Sequence, residues 1–112
     1  MQKNLHELIQ DYYGVKTTYS VDPLTDTVLT TATPILSGNQ NRLGLLICNT
    51  GNNNIYVSPK TDVSVGHGIL LVAASGILTM KWRDDFTLLS LPYYAIADGG
   101  NSTAFVFEVV TT

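Results

Sequence analysis

The chain is short of charge. Its 112 residues include only six Lys and Arg and nine Asp and Glu, or 13%, about half the usual share of roughly 25%. A free-standing soluble domain normally covers itself with ions. Here 14 Thr and 8 Asn stand in for them. Burying a hydroxyl or an amide costs far less than burying an ion, so such a surface is suited to being covered by other subunits. With 45% apolar residues, the composition points to a building block of an assembly more than to a free enzyme.

Other scarcities exclude further classes. Arg42 and Arg83 are the only arginines, no basic run is present and the net charge is −3. Nucleic-acid binding by phosphate neutralisation needs clustered cations and is not expected. Cys48 is the single cysteine, which excludes an intramolecular disulfide and a cysteine-built zinc site. Following Leu45, Leu46 and Ile47, it reads as a small buried hydrophobe, not a reactive thiol. No stretch approaches the ~18 apolar residues of a membrane span, so no membrane partner is expected. The first residues, MQKNLHELIQDYYG, lack the apolar run of a secretion signal. The expectation is a chain that folds in a cytoplasm, where the sequon Asn101-Ser102-Thr103 is simply a turn. One domain is the natural count at this length.

The first 14 residues differ from the rest. Leu5, Leu8, Ile9, Tyr12 and Tyr13 recur at helical spacing and share one face. Asn4 can cap the start, with Glu7 three residues on, and Gly14 suits the end. So short a helix melts alone in water, and its stripe must dock on a neighbouring subunit or on a larger shell. Residues 15–26 read as extended and irregular, with a turn at Asp22-Pro23. Residues 1–26 are therefore expected to form a helix and arm, and residues 27–112 a β domain.

From Thr27 onward the pattern is β. TVLTTAT is β-branched and is expected to stop at Pro34. RLGLLICN, IYVS, GILLV, ILTMKW, FTLLSL, YYAIA and TAFVFEVV follow, separated by turn signals such as NTGNNN and DGGNS. About eight short strands with turns every 8–12 residues favour an all-β antiparallel sandwich or jelly roll. No helical segments interleave the strands, as a doubly wound fold would require.

Residues able to carry chemistry are few. His6 lies off the apolar face of the short helix and reads as a surface histidine. His67, between Gly66 and Gly68, suits a solvent-facing turn, the rival being a binding loop. Asp84-Asp85 would point to opposite faces of a strand and reads as a solvated loop. NTGNNN offers amide oxygens but no carboxylates for a cation. No nucleophile elbow, zinc-protease helix, paired-cysteine motif or phosphate loop is present. No catalytic set, metal site or cofactor is expected. Trp82, between Lys81 and Arg83, reads as core, and of Tyr93 and Tyr94 one should face in and one out.

The stretch Arg42–Val110 resembles small virion proteins of tailed bacteriophages. Its landmarks are RLGLLICNTGNNNIYVS, then GHGILL, then the closing FVFEVV. The resemblance covers roughly 60% of the chain. It implies a structural role in a virion assembled in the host cytoplasm, as a capsid decoration or cement protein. The partners implied are further copies of the chain, as a trimer, and a major capsid protein or another virion protein. The rival from another class is a receptor- or carbohydrate-binding module of a fibre or spike. A small hydrolase would need a pocket where His67 meets a nucleophile.

Overall fold

The computed structural model describes residues 17–20, 27–81 and 86–111. Within them lie nine strands and one 3-10 turn. The strands are β1 (Thr17–Ser20), β2 (Thr27–Val28), β3 (Thr33–Leu36), β4 (Arg42–Asn49), β5 (Ile55–Ser58), β6 (Ile69–Leu71), β7 (Ile77–Lys81), β8 (Tyr93–Ala97) and β9 (Ser102–Thr111). The 3-10 turn is Phe86–Ser90.

All pairings between named strands are antiparallel and form two sheets. One has the order β1-β9-β4-β7, with β2 also on β9; the other has the order β3-β8-β5-β6. β1 pairs along residues 108–111 of β9, and β2 along residues 102–103. The sheets share one core. Val28, Leu45, Ile47, Met80, Ala104 and Val106 come from the first sheet; Ile35, Leu36, Ile55, Val57, Leu71, Tyr93, Ala95 and Ala97 come from the second. This is the period-2 rule at work: Leu45 and Ile47 point inward and Leu46 and Cys48 outward. The expected all-β class with antiparallel sheets is observed. The expected N-terminal helix lies outside the described residues.

Three local expectations are corrected. TVLTTAT is not one strand but β2 and β3 with a bend between. The Thr33 hydroxyl accepts from the Leu29 amide at 3.1 Å and donates to the Thr31 carbonyl at 2.9 Å. A side chain that satisfies nearby backbone in this way competes with the ladder. Nor does Pro34 end the run: it sits inside β3, an edge strand paired only with β8, where a missing N–H is tolerated.

FTLLSL, expected as a strand, forms the 3-10 turn. Its carbonyls are engaged elsewhere. Leu88 accepts from the Tyr93 hydroxyl at 2.6 Å, and Leu89 and Leu91 accept from Arg42 at 2.9 and 3.1 Å. Leu89 is buried in the core as the anchor of the turn. Within residues 15–26, read as an extended and irregular part of an arm, Thr17–Ser20 is extended as expected but is a regular strand, β1, which joins the first sheet beyond β9.

Candidate interaction surface

The polar groups inside the domain are structural. Arg42, 4% exposed, donates to Glu108 and to the carbonyls of Ser37, Leu89 and Leu91. Asn49, fully buried, donates to the carbonyls of Asn53 and Leu71 and accepts from the Gly51 amide and the Ser102 hydroxyl. Among the described residues no buried side-chain nitrogen or oxygen lacks a partner. Among these residues no buried polar side chain is left orphaned and aimed at a ligand.

The unusual chemistry is on the outside. The nine strands carry only three charged residues, Arg42, Lys81 and Glu108. Arg42 and Glu108 pair with each other, and among the described residues Lys81 is the one charged strand residue in the outward rows. Register defines the rows of the five-stranded sheet's outer face: Ile77–Cys48–Phe105, then Thr79–Leu46–Phe107, then Lys81–Gly44–Val109–Tyr19. Tyr19 stacks on Phe107, with centroids 5.6 Å apart. Tyr19 is 69%, Ile77 58% and Phe105 46% exposed. The face is apolar and aromatic across four strands.

The four-stranded sheet is similar. Its outward rows are Ile96–Tyr56–Leu70 and Pro34–Tyr94–Ser58, with no ion among them. Tyr56, Tyr94 and Ile96 are half-buried, while Leu70 and its neighbours Ile69 and Val72 are exposed. A monomer seldom leaves large contiguous apolar surface in water. The two faces are the candidate interaction surfaces among the described residues.

The arm residues expected to anchor the protein, Leu5, Leu8, Ile9, Tyr12 and Tyr13, lie outside the described residues, as do His6, Trp82, Asp84 and Asp85. His67 is in a tight reversal, its backbone exchanging hydrogen bonds with Ser64 (2.8 and 3.3 Å) around Gly66 at φ +82°, and it faces solvent. Tyr93 is buried and Tyr94 faces out. Cys48 departs from expectation. It is half-buried on the outer face between Ile77 and Phe105, because the strand's inward phase is taken by Ile47 and Asn49. Among the described residues no three His, Cys, Asp or Glu side chains gather as metal ligands. The sequence pointed to apolar sheet faces or edges for self-association but did not single out the residues of these faces. Their signal was present, since Phe105, Phe107, Tyr56 and Tyr94 alternate with buried positions on strands that lack ions.

No family model, no curated protein and no solved structure matches this chain.

Proposed function

We propose that the protein is a non-enzymatic structural subunit of a tailed-phage virion, of the capsid decoration or cement kind, which self-associates and binds a larger shell. The observation that carries the reading is the near absence of ions from both outward sheet faces. Covering them with protein removes aromatic and aliphatic surface from water at little desolvation cost. Strand order supports it. The order β1-β9-β4-β7, with β2 also on β9, beside β3-β8-β5-β6 is compatible with the jelly roll we propose, a scaffold used by viral capsid and lectin domains. The resemblance of residues 42–110 to small phage virion proteins supplies the setting. As an oligomer, a trimer on that resemblance, the subunit holds the shell through several modest contacts. Once one contact is made the next is effectively intramolecular.

A second reading, a carbohydrate- or receptor-binding module, draws on Tyr56 and Tyr94. These are half-buried aromatics on one ion-free outward face of the four-stranded sheet, where aromatic rings can stack on sugars. Copy number separates the two. Quantitative mass spectrometry of purified particles should find this chain at hundreds of copies per particle. A few dozen or fewer would move it to a fibre or spike, and its absence from particles would overturn the virion reading.

A further inference from the structure

One side of the sandwich ends in an unguarded strand. β7 closes the five-stranded sheet next to β4, and among the described residues no strand pairs with its far side. We infer that a second copy of the chain pairs there, β7 on β7 and antiparallel. Leu78 then faces Leu78 of the second copy, and Ile77 faces its Thr79.

The phase of the backbone shows which groups are open. The Asn49 amide donates to the Gly76 carbonyl at 2.8 Å. An antiparallel ladder alternates hydrogen-bonded and non-hydrogen-bonded pairs. Counted from that anchor, Leu78 bonds with Ile47 and Met80 with Leu45. Ile77 and Thr79 therefore turn their N–H and C=O groups away from β4, toward the open side. Natural edge strands are blunted by charge, proline, a bulge or shortness. β3 has Pro34 and a register shift, and β6 is three residues long. β7 has five residues and neither proline nor bulge. From Val63 to Met80 the chain holds no Asp, Glu, Lys or Arg.

Leu78 selects the partner and the register. It lies in the inward phase with Met80, yet Met80 is buried and Leu78 only half-buried against the core. The sheet stops beside it, so its cover is incomplete. Centred on Leu78, the pairing sets two such leucines on each other as a non-hydrogen-bonded pair, with Cα atoms about 4.5 Å apart. Ile77 and Thr79 supply about four hydrogen bonds across the junction, and Lys81 stays outside the paired stretch. The outer rows run on from one copy to the next. Phe105–Cys48–Ile77 meets Thr79–Leu46–Phe107 of the second copy, apolar against apolar.

The contact is two-fold and isologous. A single strand edge buries less than the roughly 1,000 Å² of a stable interface, so it is weak by itself. The inference thus rests on the proposed self-association. The edges pair between subunits already held through the four-stranded sheet's face, where the second contact is effectively intramolecular.

Disulfide crosslinking tests it, in a Cys48→Ala background because the native thiol stands directly opposite Ile77. Under mild oxidation Leu78→Cys should give a disulfide-linked dimer at least about tenfold faster than Ile77→Cys. The two Leu78 positions lie within disulfide reach, whereas the two Ile77 positions are diagonal, at roughly 7–8 Å. Random collision gives the reverse order, since Ile77 is 58% exposed and Leu78 half-buried. Equal rates, faster linking of Ile77→Cys, or no link would overturn the inference. Thr79→Pro removes an N–H on the open side and leaves the β4 ladder whole. It should abolish the Leu78→Cys link with circular dichroism unchanged. Ile77→Lys with Thr79→Lys, which sets like charges opposite each other across the junction, should do the same. A link that survives in either folded variant would also overturn the pairing. Sedimentation keeps the two claims apart. An oligomeric wild type without the link removes the edge pairing alone, and a monomeric wild type removes the self-association with it.

Discussion

Arg42 Nε donates to Glu108 Oε2 at 2.7 Å, with the two side chains 1% and 15% exposed. The pair ties β4 to β9. The remaining guanidinium donors hold three carbonyls, those of Ser37, Leu89 and Leu91, which belong to the segments flanking β3 and β8. One arginine thus joins both sheets at one end of the domain. Removing one partner of such a pair leaves the other buried without compensation. Arg42→Ala should lower unfolding free energy by about 3–5 kcal/mol in urea denaturation. Arg42→Lys should recover only part of this, since an ammonium lacks the planar fork that reaches several acceptors. Glu108→Gln should cost less than Arg42→Ala, because an amide oxygen can still accept from Nε.

Asn49 plays the corresponding part at the other end of β4. Its amide spans the turn to Asn53, the end of β6 at Leu71, and Ser102 at the start of β9. Asn49→Asp keeps the shape but loses both donors, which strands the Leu71 carbonyl and leaves that of Asn53 only the Ser102 hydroxyl. It should cost at least about 2 kcal/mol, and Ser102→Ala less, about 1 kcal/mol, by the same denaturation measurement.

Gly51 stands in the turn beside this network. A Cβ there would collide with the Ser102 hydroxyl and the Thr103 amide, and the latter is fixed backbone. Gly51→Ala should lower the thermal midpoint, at a cost of about 1–3 kcal/mol for overpacking. Gly66→Ala meets no such atom, and its cost should be confined to the positive φ of the His67 turn.

Much of the β domain was legible in the sequence where alternation is uninterrupted. IYVS and YYAIA coincide with β5 and β8, and RLGLLICN with β4. Where it failed, long-range partners decided the outcome. FTLLSL has the composition of a strand, but its carbonyls turn inward to Arg42, more than 40 residues away, and to Tyr93. Pro34 reads as a strand terminator unless β3 is known to be an edge. The surface was legible in composition, as missing charge. Its location was not, because which face of β9 looks outward depends on the strands that cover the other side.

His67 is exposed at a reversal held by backbone hydrogen bonds, away from any cluster of metal-ligating side chains among the described residues. His67→Ala should leave stability within about 0.5 kcal/mol of wild type, as for surface changes generally, and should leave particle incorporation unchanged. Normal folding with loss of incorporation would make this turn part of the contact.

Sedimentation velocity at micromolar concentration tests the claim that the ion-free outer face of the four-stranded sheet is a contact between subunits. The wild-type chain should sediment as an oligomer, a multiple of its 12.2 kDa mass. Tyr56→Lys with Leu70→Lys, which puts two ions into one outward row of the four-stranded sheet, should shift it to the monomer while preserving the circular dichroism of the folded domain. A wild-type protein that sediments as a 12.2 kDa monomer across the range, with the lysine variant indistinguishable from it, would contradict the account.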